Sequence, residues 1–423
     1  MNIQNLVIEQ AQKAKQGARR LAHLPTSVKN QLLLEMAGLL KTHETEILKA
    51  NAQDMQEGRK QGLSVALLDR LALTTTRLKG MADALMVIAE LPDPVGRELA
   101  QIHLDNGLLI NKVSVPLGVI GFIYEARPNV TTDAIGLALK SGNGIVLKGG
   151  KEAINSNRAI VNSVLPAFAT LKIDPLISEA VQFIDSTERS ATHTLLAQTD
   201  SIDLIIPRGG KTLIQAVMEY SRIPVLQHLD GICHIFVDES AKLDMAEKII
   251  INAKCQRPGV CNAVETLLVH AHIAPAFLPV IAQALHAQKV ELRGCKRTQA
   301  LIKDVPILSA TEEDWSTEYS DYILSIRVVD SLEEAIEHIN HYGSHHSDSI
   351  ITENQNSATE FLQYVDSAVV YHNASTRFTD GGIFGFGAEI GISTGKLHAR
   401  GPVGLNELTT YQYRALGNGQ VHN

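Results

Sequence analysis

The sequence predicts an α/β protein of two doubly wound parallel sheets, plus a small β element that belongs to neither. Three observations predict it. From Gly118, short β-branched runs alternate with stretches of helical period: VIGFIY with TTDAIGLALK, GIVLK with AINSNRAIVNSVL, VQFID with ERSATHTLLA, and DLIIP with KTLIQAVMEY. That alternation marks a parallel sheet covered by helices. A second alternation begins near Pro224 and calls for a second sheet. The runs RELAQIHL and LLINKVSVPL lie outside both, separated only by Asp105, Asn106 and Gly107, which tolerate the positive φ of a hairpin turn.

In chain order, residues 1 to about 91 read as helices, because apolar residues recur at helical spacing in VKNQLLLEMAGLLKTH and TTTRLKGMADALMVIAEL. Pro92, Asp93 and Pro94 end that pattern. Residues 1–95 and 118–223 together form the first expected domain. Its strands end in YEARPN, LKGGKE, DSTE and PRGGK. Ligands of open α/β sheets lie beyond such carboxyl ends, and these suit a phosphate-bearing ligand, although no G-x-G-x-x-G occurs. Residues 224–375 form the second domain, with strands expected at VLQHL, ICHIFVD, ILSIRVVD, DSIIT and AVVYHN and helices at LDMAEKIIINAK and LEEAIEHIN. Residues 376–404 are glycine-dense and read as a long ordered loop packed near a site and returning to the first domain. The hairpin at 96–117 and the closing β-like segment 405–415 make up the small β element.

Composition removes several functions. With 423 residues, 45% of them apolar, the chain can bury two or three cores. The net charge of −8 is dispersed, and no basic patch interleaved with aromatics is present for nucleic acid. The N-terminal stretch has polar and charged residues in every turn, unlike a signal peptide, and no run reaches the ~18 apolar residues that would span a bilayer. A cytoplasmic location is therefore expected. Cysteines 233, 255, 261 and 295 form no C-x-x-C pair, which argues against a disulfide framework or a zinc site. The nearest approach to a ligand set, among His338, His341, His345 and His346, lacks a completing carboxylate or cysteine, so no metal is expected.

One cysteine stands apart. Cys261 lies in KCQRPGVCNAVE, residues 254–265, in a bend set by Pro258 and Gly259 between a helical run and the apolar run from Thr266 to Val269. Such a bend can hold a thiol at a cleft. The plainer reading of a lone cysteine is a small packing residue, which suffices for Cys233, Cys255 and Cys295.

The motifs VIGFIYEARPN, GNGIVLKGGKEA, RPGVC and AEIGISTGKLHARGP resemble the aldehyde dehydrogenase superfamily over nearly the whole chain. Within it, EEAIEHINHYGSHHSDSIIT and YHNASTRFTDGG are similar to the branch that reduces glutamyl phosphate. The resemblance implies an aldehyde dehydrogenase-like fold and NADPH-dependent reduction of L-glutamyl 5-phosphate to L-glutamate 5-semialdehyde and phosphate, the second step of L-proline synthesis. It also implies a homo-oligomer in which the β element pairs with a partner subunit. Because acyl phosphates are unstable, glutamate 5-kinase is a natural supplier of substrate, though no residue encodes that contact.

By the same resemblance Cys261 is the nucleophile, forming a thioester that can accept hydride, and Asn129 donates to the oxyanion with the backbone N–H of the cysteine. Oxidising relatives carry a hydrolytic glutamate where this chain has His228, in HLDG. Losing that base favours reduction. His228 either meets substrate and protonates a leaving group or is a satisfied structural histidine. Lys148 matches the lysine at the adenosine ribose, within the run Lys148, Gly149, Gly150 and Lys151, and Lys151 replaces a carboxylate that would repel a 2′-phosphate. Gly209 and Gly210 correspond to the pyrophosphate loop at a helix start, and Glu318 to the nicotinamide ribose contact. PRGGK lacks the Walker pattern. Asn373, Thr376 and Arg377 are substrate candidates, with Asp380 for the amine and Arg127 and Arg400 as weaker anion partners. Two other readings stay open: an acylating or hydrolytic aldehyde dehydrogenase for another small acid, and a non-catalytic dinucleotide-binding assembly protein.

Overall fold

A computed structural model describes residues 2–422. The chain divides into two units. One comprises the chain up to Gln227 with Gly385–Gly391 and everything from Val403, and the other comprises His228–Phe384 with Ile392–Pro402. No described helix is long and apolar enough to cross a membrane.

The first unit opens with five helices, Ile3–Leu21, Thr26–Thr42, Glu44–Lys60, Val65–Leu71 and Thr75–Glu90. Side-chain caps start the last two: Ser64 Oγ accepts from Leu67 N at 3.3 Å and Thr74 Oγ1 from Arg77 N at 3.2 Å. A hairpin follows, β1 (Glu98–His103) and β2 (Leu109–Pro116), with Gly107 at φ +83° in its turn. Next come β3 (Val119–Tyr124), β4 (Gly144–Gly149), β5 (Val181–Phe183) and β6 (Leu204–Arg208), parallel throughout in the order β5-β4-β3-β6. Both faces of this sheet are covered. Ile120, Phe122 and Tyr124 pack with Leu33, Met36 and Leu85 on one face, whereas Val119 and Ile123 pack with Val7, Ala11 and Ala14 on the other. Strand β3 is accordingly buried along its length, as a strand between two helical layers must be.

In the second unit β7 (Cys233–Val237), β8 (Val264–His270), β9 (Glu291–Gly294), β10 (Leu308–Ser309), β11 (Ile323–Val329), β12 (Ser347–Ile351) and β13 (Val369–His372) form one parallel sheet, ordered β10-β9-β11-β8-β7-β12-β13. Its faces also divide cleanly: Ile235, Leu267 and Val269 enter one core, Phe236, Leu268 and Val329 the other. Within the glycine-dense segment only β14 (Ile392–Ser393) and β15 (Gly401–Pro402) pair. That segment is shared, since 385–391 and 403–404 group with the first unit and the rest with the second.

Three sequence expectations are corrected in detail. VLQHL forms no strand of the second sheet. Val225 bridges Ile205 at the edge of the first, and the division between units falls after Gln227. The hairpin and the closing segment, expected to seek partners on another subunit, find each other: β16 (Thr409–Leu416) runs antiparallel to β2 from Thr409↔Pro116 to Leu416↔Leu109. The outer edges of β1 and β16 stay open. The stretch between β8 and β11, passed over in the sequence, holds β9, β10 and the helix Ala274–Ala287. Its prolines mask the helix, although one of them lies in the first turn, where proline is tolerated.

Candidate active site

Parallel strands start on one edge of their sheet, so the residues just before them converge. In the second unit β11, β8, β7 and β12 are neighbours in that order. Glu318 to Ser320 precede β11, Cys261 precedes β8, His228 to Gly231 precede β7, and His346 directly precedes β12. The chemistry-bearing side chains of this unit thus gather at the amino ends of its strands, opposite to the edge that the general rule for open sheets would favour.

The loop carrying Cys261 is held at both ends. Lys254, in the last turn of the helix Leu243–Cys255, is wholly buried, and its Nζ donates to Glu265 Oε2 at 2.6 Å and to the Val264 carbonyl at 3.0 Å. Glu265 Oε1 accepts from Ser320 N at 3.1 Å. Burial pushes the Glu265 carboxyl up to about 7, opposed chiefly by Lys254. Inside the loop, Asn262 donates to the Thr379 carbonyl at 2.8 Å, and Thr376 Oγ1 donates to the Asn262 carbonyl at 2.7 Å. Gly231 lies flat on the cysteine backbone: a Cβ there would stand 2.1 Å from the Cys261 carbonyl oxygen. Any side chain at 231 would displace the loop.

Cys261 itself is partly exposed, while Cys233 is buried. Burial drives the Cys233 thiol well above its ordinary range, and its Sγ donates to the Cys261 carbonyl at 3.2 Å. Around Cys261 Sγ stand ring nitrogens of His228 and His346, all three atoms within 4.8 Å of one another. The two imidazoles meet edge to face with centroids 5.4 Å apart. Their tautomers follow from their partners. His228 Nδ1 lies 3.0 Å from the Ile392 carbonyl, so it carries the proton and Nε2 the lone pair. His346 Nδ1 lies 2.9 Å from Ser347 Oγ, whose hydroxyl donates to Thr379 Oγ1 at 2.7 Å. Its Nε2 is buried without a partner. Burial holds His346 down to about 4, against the pull of Asp348 and Glu318, so the ring is neutral at physiological pH.

The other expected residues divide into those around this cluster and those with tasks elsewhere. Glu318 is raised by burial, with the Gly231 backbone N–H facing its carboxylate. Arg377 Nε donates to Gln256 at 2.9 Å. Burial holds its guanidinium below the usual arginine range, Asp380 acting the other way, and Cys261 is among the groups it feels. Thr376 is wholly buried and spent on Asn262. Asn373, at φ +55°, uses its whole side-chain amide on the Thr352 backbone, accepting at 3.0 Å and donating at 2.9 Å. Asp380 Oδ1 caps Gly382 N at 3.2 Å, and Arg400 is committed to Asp366. His338 lies apart, against Arg327, His234 and Trp315.

In the first unit Asn129 starts the helix Val130–Lys140, exposed and with no capping bond from its side chain. Lys148 is buried, and its Nζ donates to the Gly149 carbonyl at 2.8 Å. Gly149 packs against Asn157, where a Cβ would meet the amide at 2.2 Å. Lys151 is exposed. Its neighbour Glu152, against which Gly150 lies, turns inward to accept from Ala126 N at 2.6 Å. Gly209 and Gly210 lead into the helix Lys211–Tyr220, but the Gly210 N–H is taken by Glu125 Oε2 at 2.9 Å. That carboxylate occupies the place expected for a phosphate oxygen. The sequence reading missed Glu125, the Lys254–Glu265 pair and His346 as site residues. The doublet His345-His346 was the available signal for the last, and it was weighed only against its helical neighbours.

Comparison with known proteins agrees with this architecture. Residues 4–300 match the aldehyde dehydrogenase family model. A gamma-glutamyl phosphate reductase of Moorella thermoacetica is 54% identical over 100% of both chains, and one of Caldanaerobacter subterraneus is 54% identical over 97% of this chain and 98% of its own. The crystal structure of a gamma-glutamyl phosphate reductase from Thermotoga maritima superimposes with a TM-score of 0.95 at 48% identity, covering 99% of this chain and 100% of that one.

Removing one partner of a buried ion pair strands the other charge, which typically costs about 3–5 kcal/mol. Lys254→Met is expected to lower unfolding free energy by that amount in urea titration. A loss below about 1 kcal/mol, the range of an exposed pair, would show that the loop is held some other way.

Proposed function

This chain belongs to the aldehyde dehydrogenase family, and from that premise we propose that it reduces L-glutamyl 5-phosphate to L-glutamate 5-semialdehyde and phosphate with NADPH, through a thioester on Cys261. The observation that carries the reading is the composition of the cluster at Cys261: a thiol with a ring nitrogen each of His228 and His346, all within 4.8 Å. A thiol with a neighbouring proton acceptor suits acyl transfer. The hydrolytic glutamate of oxidising relatives has no counterpart in it.

His228 is the better placed base. Its ring is half-buried and oriented through Nδ1 by the Ile392 carbonyl, leaving Nε2 to receive a proton. The thiol proton passes to Nε2, the thiolate attacks the acyl carbon, and the bond from that carbon to the phosphate oxygen breaks. The imidazolium returns its proton to the departing phosphate. Arg377 offers a partly desolvated cation to an anionic end of the substrate, where a guanidinium is worth more than in water. Thr376 and Asn373 serve the site by fixing loops. Asn129 has an uncommitted amide suited to an oxyanion.

NADPH, when bound, supplies the hydride that turns the thioester into aldehyde and free thiolate. The residues present fit its adenosine end. Lys151 is exposed, and Glu152, the one carboxylate beside it in sequence, is turned into Ala126 N; a 2′-phosphate therefore meets a cation instead of an anion. Four cysteines without disulfides suit a reducing cytoplasm. Exposed Leu99, Ile102, Tyr411, Tyr413 and Leu416 on the β1-β2-β16 sheet suit a homo-oligomer, and a kinase making the acyl phosphate is the natural upstream partner.

The proposal is tested in the reverse direction, with glutamate semialdehyde, phosphate and NADP, by NADPH absorbance. Cys261→Ser is expected to abolish turnover, and full activity in that variant would remove the thioester. His228→Asn is expected to lower turnover ~10²–10⁴-fold, as loss of a general base does; unchanged turnover would assign the proton elsewhere. Gly231→Ala pushes the Cys261 backbone and should lower turnover about a hundredfold with the fold intact by circular dichroism, since ~1 Å of misplacement has that effect. Lys151→Glu should raise KM for NADPH roughly tenfold or more while sparing NADH; equal effects on both would detach Lys151 from the 2′-phosphate.

A further inference from the structure

His346 poses a problem that the proposed reaction does not solve. Its Nε2 is fully buried, bears a lone pair and has no hydrogen-bond partner. A buried acceptor left unpaired is a cost to the fold. One proton acceptor for Cys261 is sufficient, and His228 supplies it. The second imidazole completes a different set: a thiol and two imidazoles facing one another, which is a ligand set suited to zinc.

We propose that Cys261 Sγ, His228 Nε2 and His346 Nε2 form a binding site for a thiophilic divalent cation of the zinc type, and that its occupancy holds the thiol out of reaction. The cysteine sulfur and one ring nitrogen of each histidine lie within 4.8 Å of one another. Tetrahedral zinc, with bonds of about 2.0–2.3 Å, wants ligands roughly 3.3–3.6 Å apart, a spacing inside that bound. Cys261 is partly exposed and turns about one bond, and His228 lies in a loop before β7, so both can move; His346 stays put. Each histidine already has the outer partner that orients a ligating ring: the Ile392 carbonyl for His228, and Ser347, backed by Thr379, for His346. Tyr371 in turn meets Thr379 at 2.8 Å. Glu318, which acts on His346 electrostatically, adds negative potential.

A second His and carboxylate group, Glu239, His270 and His272, is the natural decoy. There the groups are spent on one another: His272 Nδ1 meets Glu239 at 2.7 Å, and His270 Nδ1 accepts from His272 N at 3.3 Å. It contains no sulfur. Binding at Cys261 involves no change of oxidation state. The cation takes the thiolate and the two lone pairs, and the thiol proton goes to solvent.

Cobalt(II), a spectroscopic stand-in for zinc, distinguishes the two sites without any substrate. Added to the reduced full-length chain, it should give one equivalent of near-ultraviolet thiolate-to-cobalt absorption with tetrahedral visible bands, which zinc then displaces. Cys261→Ser should lose the thiolate band, and His346→Ala and His228→Ala should each weaken binding by about tenfold or more. His272→Ala, at the decoy, should leave the band unchanged. Absence of a thiolate band at saturating cobalt overturns the proposal, as does a band that survives both histidine variants or that disappears in Cys233→Ala but not in Cys261→Ser. Since the band needs neither NADPH nor acyl phosphate, its presence in a chain that failed the reductase assay would sink the proposed reaction and leave the cation site standing.

Discussion

Two buried charges set the position of the loop that carries Cys261. Lys254 closes the helix before the Cys261 loop, Glu265 belongs to the strand after it, and the two meet at 2.6 Å with essentially no exposure. Removing such groups from water costs several kcal/mol for each ion, and their attraction repays this only when the remaining donors and acceptors are also met. Here they are, through the Val264 carbonyl and the Ser320 amide. A hydrophobic pair of equal volume would serve stability as well. It would not fix the register of a loop whose two ends must be tied to within a fraction of an ångström, and the Ser320 contact ties the β11 approach to the same point.

From that anchor the site follows by topology. Parallel strands begin on one edge of their sheet, so the residues that precede them converge there. The strand order places the approaches to β8, β7 and β12 side by side, and each contributes one group: a thiol, a half-buried imidazole and a buried one. Gly231 lets two of these approaches touch backbone to backbone. Thr376 and Asn262 lock the third side. In the proposed reading, the proximity that lets an imidazole relieve the thiol of its proton also makes the trio attractive to a soft cation.

Much of this was legible in the chain, for physical reasons. Alternation of period two and period 3.6 reports burial directly, so both parallel sheets and the first helical block could be read from it, as could the bend at Pro258 and Gly259. What could not be read depends on contacts between distant residues. His346 is 85 positions from Cys261, and only the pairing of β12 with β7 brings it near. Asn373 and Thr376 looked like substrate ligands because short polar side chains serve loops and ligands alike; the structure shows their polar atoms spent on Thr352 and Asn262. Glu125 was invisible as a stand-in at the Gly210 amide because a carboxylate after a strand carries no mark of where it will fold back. The helix Ala274–Ala287 was hidden by its two prolines, Pro275 in the first turn, where a helix tolerates it, and Pro279 inside the helix.

The central claim is that the sulfur of residue 261, and no other, becomes covalently attached to the acyl group. Incubating the chain with glutamate semialdehyde and NADP in the absence of phosphate should let the acyl-enzyme accumulate, because nothing remains to take the acyl group away. Acid quenching and peptide mass mapping should then find a glutamyl adduct on the peptide carrying Cys261, removable by hydroxylamine as a thioester is. An adduct on Cys233, Cys255 or Cys295, or NADPH formed with no adduct at all, would contradict the account.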